Sequence, residues 1–157
     1  MSVAERLREL GVPLDAGPRP LALYRPALVA GELLLLSGQL PMREGALLHP
    51  GRVGEAVSAE QAREAARQCA ANGLAAARAA LGSDAALDGL RLLRTAGYVA
   101  AAPDFEGHPE VIDGASELLR DALGEERGVG ARAAIGVASL PRGAAVEIEF
   151  LFAIEAR

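Results

Sequence analysis

Residues 130–148 read Gly-Ala-Arg-Ala-Ala-Ile-Gly-Val-Ala-Ser-Leu-Pro-Arg-Gly-Ala-Ala-Val-Glu-Ile. One charged side chain, Arg132, opens an otherwise apolar strand. A Pro141-Arg142-Gly143 connection follows, and a second strand carries Glu147 and Glu149. A charge in such an apolar run is costly unless it meets a partner or a ligand. Arginine is also the side chain best shaped to hold a carboxylate with two parallel bonds. The stretch therefore predicts an anion-binding arginine with a carboxylate on the neighbouring strand, residues 131–139 and 145–154 forming a terminal hairpin.

Period-two alternation sorts these side chains into two faces. Val146, Ile148, Phe150, Phe152 and Ile154 point one way, and Glu147, Glu149, Leu151 and Ala153 the other. Ile135 and Val137 are expected on the first face, under the helices. Arg132, Ala134, Gly136 and Ala138 are then expected beside Glu147 on the second. That second face is small or apolar and needs a cover. No further helix is available, so a second copy of the chain is expected there. With the turn centred on Arg142 and Gly143, Arg132 stands opposite Ala153, six residues or about 20 Å from Glu147. In that register the two side chains can share a small ligand only across a subunit boundary.

Upstream, residues 2–10 can cap and form about two helical turns, and the Pro- and Gly-rich residues 11–20 form a connector. Residues 21–30 predict a strand interrupted by Pro26. Gly31 and Glu32 make a tight turn before the apolar run 33–36, and Ser37-Gly38-Gln39-Leu40-Pro41 ends it. Residues 42–54 form an irregular excursion with a short hairpin. Ser58 and Gln61 make a capping-box pattern that opens a helix running to Leu81 and stopped by Gly82. Residues 90–101 predict a strand, with Gly97 as a bulge. Pro109 opens a second amphipathic helix that Gly124 ends. The sum is one domain, residues 1–157, with 1–20 as a helical extension and connector. Its class is α+β: a mostly antiparallel sheet with two helices on one face.

Composition narrows the function. The chain has 157 residues, 51% hydrophobic but only 3% aromatic, and a net charge of −5. That balance disfavours unspecific binding to nucleic acid or anionic membrane, since both need a positive field. Residues 1–10 lack the apolar core of a secretory signal, and no apolar run approaches the roughly 20 residues of a membrane helix. A soluble, cytoplasmic protein is expected. The single cysteine, Cys69, excludes an internal disulfide and a multi-cysteine zinc site, and its place on a helix packing face predicts an inert buried thiol. His49 and His108 share no spacing with acids and are expected at the surface.

The segments Ala131-Arg132-Ala133, Val146-Glu147-Ile148 and Ser37-Gly38-Gln39-Leu40-Pro41, with Tyr24 fourteen residues before Gly38, together resemble the reactive intermediate deaminase (Rid) family. This is also called the YjgF family; older labels are translation inhibitor and L-PSP endoribonuclease. The resemblance covers residues 21–154. It implies a chorismate-mutase-like fold, assembled as a homotrimer whose sheets form a central barrel with ligand clefts between subunits. It implies hydrolysis of 2-imino and enamine acids to 2-keto acids and ammonia, with no metal or organic cofactor. Arg132 would hold the substrate carboxylate and Glu147 would orient or activate water. Gly38 would border the pocket, and Tyr24 would wall it or donate a hydrogen bond.

Three positions depart from the family pattern. Gly130 stands where Pro or Ala is usual. Ala134 replaces a common cysteine, leaving only a backbone N–H for the ligand. Asp113 stands where many members have asparagine, adding negative charge beside the anion site. The N-terminal extension and the 42–54 excursion resemble a divergent branch. Alternatives therefore stay open. Arg132 and Glu147 can be structural ion-pair residues, and the chain can be a non-catalytic binder of small carboxylates. An endoribonuclease is disfavoured by the lack of a basic stripe, of stacking aromatics and of paired histidines.

Overall fold

The computed structural model describes residues 1–14 and 23–155. A first helix, α1 (Val3–Glu9), is opened by a capping box between Ser2 and Glu5. It buries Val3, Ala4 and Leu7 against later elements. Strands β1 (Ala27–Ala30) and β2 (Leu33–Gln39) follow, joined at Gly31, whose φ of +61° suits glycine. A small separate hairpin, β3 (Met42–Arg43) and β4 (Ala46–Leu47), fills the excursion. The long helix α2 (Ala59–Leu81) starts at the Ser58/Gln61 capping box and stops at left-handed Gly82, as its cap residues dictate. Then come β5 (Leu90–Ala100), α3 (His108–Leu123), the single turn α4 (Glu125–Gly128), β6 (Ala131–Val137) and β7 (Val146–Ile154).

Five strands form one sheet in the order β1-β2-β7-β5-β6. Every pairing is antiparallel except β5 with β6. The α+β class and the mostly antiparallel sheet are as expected; the terminal hairpin is not. β7 inserts between β2 and β5, while β6 returns through α3 to lie parallel to β5 at the sheet edge. The connecting Pro141–Gly143 turn, with Arg142 at φ +60°, joins two strands that do not pair. Two further expectations shift. The bulge in β5 falls between Leu92 and Arg94 rather than at Gly97. The first strand begins only at Ala27, and positions 21–22 lie outside the described residues.

Register settles the faces. Thr95 pairs with Phe150 and Arg132, and Gly97 with Ile148 and Ala134, so Arg132, Ala134 and Gly136 share the face of the buried β7 residues. The expected assignment of β6 is therefore inverted. Ile135, aligned with Tyr98 and Glu147, lies on the open face and is 49% exposed. The cause is the topology: a parallel edge strand beside β5 presents the opposite set of side chains from a hairpin partner of β7.

The core lies between the sheet and α2 and α3. α2 contributes Ala62, Ala65, Ala66, Cys69, Leu74 and Ala77, all fully buried, and Phe150, Phe152 and Ile148 come up from β7. With few aromatics, the layers close by near approach of backbones. A Cβ on Gly114 of α3 would collide with the backbone carbonyl of Arg63 on α2, and one on Gly97 would strike Ile112. Gly114→Ala should therefore force α2 and α3 apart and lower stability by roughly 1–3 kcal/mol. Urea denaturation of the variant beside the parent checks this as a fall in midpoint without a change in slope.

Candidate active site

The bulge in β2 between Leu36 and Gln39 is where the site begins. It turns Gly38 onto the open face directly beneath Glu147 of β7, so closely that a Cβ on Gly38 would collide with the Glu147 carboxylate. Neighbouring residues lock this segment. Ser37 Oγ donates to the Arg25 carbonyl at 2.6 Å, and Ser37 N–H to the Pro26 carbonyl at 3.0 Å. The buried Gln39 side chain donates to the Ser37 carbonyl at 2.8 Å. These bonds strap the backbone after Tyr24 to the strand holding Gly38. Tyr24 itself is 45% exposed, at the bend before β1.

Glu147 is half-buried on the open face, opposite Tyr98 and beside Glu149, on a surface that also carries Leu33, Leu35, Leu151, Ala96 and Arg94. It has no hydrogen-bond partner among the described residues. Burial, and then the nearby Glu149 charge, push its carboxyl above the ordinary range. Glu149 is engaged differently: it accepts from the Tyr98 hydroxyl at 3.0 Å, and that bond raises the Tyr98 pKa. Glu147 also helps to raise the Cys69 thiol, whose main cause is complete burial. Cys69 is thus the inert thiol expected, donating weakly to the Val146 carbonyl.

Arg132 occupies a second place. From the start of β6 it reaches toward α3, where its Nη1 donates to Asp113 Oδ1 at 2.6 Å and Ser116 Oγ at 3.1 Å. Its side chain remains 29% exposed, beside a hollow of about 150 Å³ lined by Leu92, Thr95, Ser116, Val129 and Gly130. Arg63 of α2 stands behind Asp113, 4.0 Å from its Oδ2. Ala134 lies two residues further along the same face of β6, partly buried against the core. At the far end of that face His108 covers Gly136 and stacks edge-on against Phe105 at 5.3 Å.

The structure brings Gly38 to Glu147, and Asp113 to Arg132, but it keeps these pairs apart. Arg132 is two strands across and three residues along from Glu147, about 14 Å by sheet geometry, and on the other face. A hollow of about 640 Å³ between residues 10–13, β3 and α2 contains none of the six expected site residues. Among the described residues, no group of three or more His, Cys, Asp or Glu is placed to hold a metal ion. No helix there is long and apolar enough to cross a membrane. Sequence reasoning missed Arg63 and Ser116. Both sit at ordinary helix positions: Ser116 reaches Arg132 because α3 lies over β6, and Arg63 reaches Asp113 because α2 packs on α3 at Gly114.

The family model described as "Endoribonuclease L-PSP" matches residues 15–154. A curated relative, protein TCP17 of Trypanosoma cruzi, is 37% identical over 150 residues, covering 95% of this chain and 92% of its own. The crystal structure of protein Atu1372 from Agrobacterium tumefaciens, of unknown function, is 41% identical, with 98% and 92% of the two chains covered and a TM-score of 0.87. That of a putative endoribonuclease from Shewanella oneidensis MR-1 is 26% identical, with 98% and 99% covered and a TM-score of 0.90. Sequence signature, sheet topology and these likenesses agree, and the chain belongs to the L-PSP endoribonuclease family, the family of YjgF and RidA.

Proposed function

We propose that the protein hydrolyses reactive 2-imino and enamine acids to 2-keto acids and ammonia, in a cleft between subunits. The observation that carries this reading is Glu147: a half-buried carboxylate with no hydrogen-bond partner among the described residues, seated on a glycine of the open face. Half burial of a carboxylate costs stability, and a raised pKa fits a group that handles protons. Arg132 supplies the complementary group, a guanidinium at a sheet edge with a hollow beside it.

In this reading Arg132 binds the substrate carboxylate. Glu147 takes a proton from water as the water oxygen bonds to the imine carbon, and a tetrahedral carbinolamine forms. The proton passes to nitrogen; the carbinolamine hydroxyl then gives up its own proton to nitrogen through the Glu147 carboxylate as the carbonyl forms and the C–N bond breaks, and the 2-keto acid and ammonia leave. An enamine enters after tautomerising to the imine. Gly38 leaves room for the Glu147 carboxylate itself and borders the pocket, Tyr24 walls the entry, and the Ala134 N–H borders the ligand. Because Arg132 and Glu147 face opposite ways within one chain, two copies complete one site. The exposed Leu28, Leu33, Leu35 and Ile135 of the open face provide the apolar cover for a homotrimer with a sheet-lined barrel. Residence in the cytoplasm fits substrates released by amino-acid metabolism.

A second reading, a non-catalytic binder of small carboxylates, draws on the Asp113–Arg132 pair, which occupies the guanidinium that a substrate needs. The endoribonuclease label of the family finds less support. His49 is engaged with Glu64 at 2.7 Å and His108 stacks on Phe105, so no histidine pair is presented to RNA.

Generating 2-aminoacrylate in situ with a dehydratase and following keto-acid release tests the choice. The protein should accelerate release, and Glu147→Gln should lower the rate by about 10²- to 10⁴-fold without loss of thermal stability. Arg132→Ala should raise KM strongly. Binding of 2-keto acids without any acceleration would favour the non-catalytic reading.

The pH profile provides a separate check. The base must be ionised, so kcat/KM should rise with pH through the Glu147 pKa. Since burial raises that pKa, the acid limb should lie above the ordinary carboxyl range, and it should vanish in Glu147→Gln.

Sedimentation equilibrium should give three times the chain mass. Leu35→Arg, which places a charge on the open face, should shift the population toward the monomer, with catalysis falling in step.

A further inference from the structure

We propose that Arg63 is a positioning residue for carboxylate binding: it takes up Asp113 when an incoming acid displaces that side chain from Arg132. The proposal rests on the reading that Arg132 holds the substrate carboxylate. Asp113 is suspended between two guanidinium groups, with Oδ1 2.6 Å from Arg132 and Oδ2 4.0 Å from Arg63. The first contact is a formed, charge-assisted hydrogen bond; the second is one short swing from becoming one.

Arg63 is already fixed for the exchange. Its Nη1 donates to the Glu110 carbonyl at 3.1 Å, and its Nη2 to Glu117 Oε1 at 2.5 Å. Both acceptors belong to α3, as Asp113 does, and the glycine contact between Gly114 and the Arg63 carbonyl sets the reach. Arg132 keeps its own anchor when Asp113 leaves, because Ser116 Oγ accepts from the same Nη1 at 3.1 Å. Asp113 has room to swing, with a side chain 41% exposed.

Charge arithmetic gives the device its purpose. Arg63, Arg132, Asp113 and Glu117 sum to zero, so an arriving carboxylate leaves one surplus negative charge. Without Arg63, the displaced Asp113 would stand unneutralised beside the new anion and oppose it. With Arg63, the displaced Asp113 shares the guanidinium that already holds Glu117, while the new anion takes Arg132. The site is thereby tuned to ligands whose carboxylate can compete with Asp113, namely 2-imino and 2-keto monocarboxylates, and against neutral amide analogues.

The test measures pyruvate binding by calorimetry at low ionic strength, using the intact protein and the variants Arg132→Ala, Arg63→Gln, Asp113→Asn and Arg63→Gln/Asp113→Asn, with thermal unfolding as the folding control. Arg63→Gln should weaken pyruvate binding by about fivefold, the scale of one partly exposed ion pair. Asp113→Asn should tighten binding, and in that background Arg63→Gln should have little further effect, since no displaced charge remains to be held. Arg63→Lys should restore part of the loss. An equal Arg63→Gln penalty with and without Asp113, or none in either, overturns the proposal while leaving the arginine reading intact. Unchanged pyruvate binding in Arg132→Ala overturns the arginine reading, and this proposal falls with it.

Discussion

The fold depends on one strand having two different faces. β7 lies at the centre of the sheet, hydrogen-bonded to β2 on one side and β5 on the other. Val146, Ile148, Phe150 and Phe152 are buried beneath the helices, and the residues between them emerge on the open side. A central strand cannot slip by one residue without driving Glu147 and Glu149 into the core. That register carries Glu147 to the bulge at Gly38, and it fixes β5, on whose outer edge β6 and Arg132 are laid. The positions of Glu147 and Arg132 are thus set by the packing of β7, although Arg132 is not on that strand.

The helices reach the sheet through small residues. α2 presents a row of alanines, and Gly73 leaves space for the Phe150 ring, just as Gly97 does for Ile112. Little aromatic surface is needed when layers approach this closely, because density rather than side-chain size supplies the dispersion contacts. The same closeness serves the polar cluster. α2 and α3 touch at Gly114 and Arg63, so a cation from one helix reaches carboxylates on the other without leaving its own turn.

The sequence made local structure legible where a cap or a period stated it. The Ser58/Gln61 box and Gly82 mark both ends of α2, and the alternation in β7 gives its buried face correctly. The Ser37–Pro41 segment and the arginine and glutamate signatures identify the family. Strand order was not legible. A Pro-Arg-Gly link between two apolar runs has the form of a hairpin connection, and nothing local shows that the later strand pairs with β2 and β5 instead. The size of the β6 side chains offers a physical reason. Arg132, Ala134 and Gly136 are too small or too charged to fill a central core position, but they suit an edge over which α3 lays Asp113 and His108. The inverted face of β6 follows from that single topological error. The contact of Arg63 with Asp113 could not be read because it arises from helix packing, which has no period along the chain.

Correcting the topology changes why the two halves of the proposed site are separate. A hairpin would have placed Arg132 and Glu147 on one face at a distance along the strands. The observed sheet places them nearer, but back to back, with the thickness of β5 between them. No side-chain rotation passes through a hydrogen-bonded sheet, so flexibility within one chain cannot unite them. A reaction that needs both groups on one small acid must draw them from two chains. The apolar open face and the exposed edge at β6 are the surfaces through which such a meeting can occur. Assembly would then be a requirement of the chemistry itself, and the carboxylate left without a partner in the single chain would find its function there.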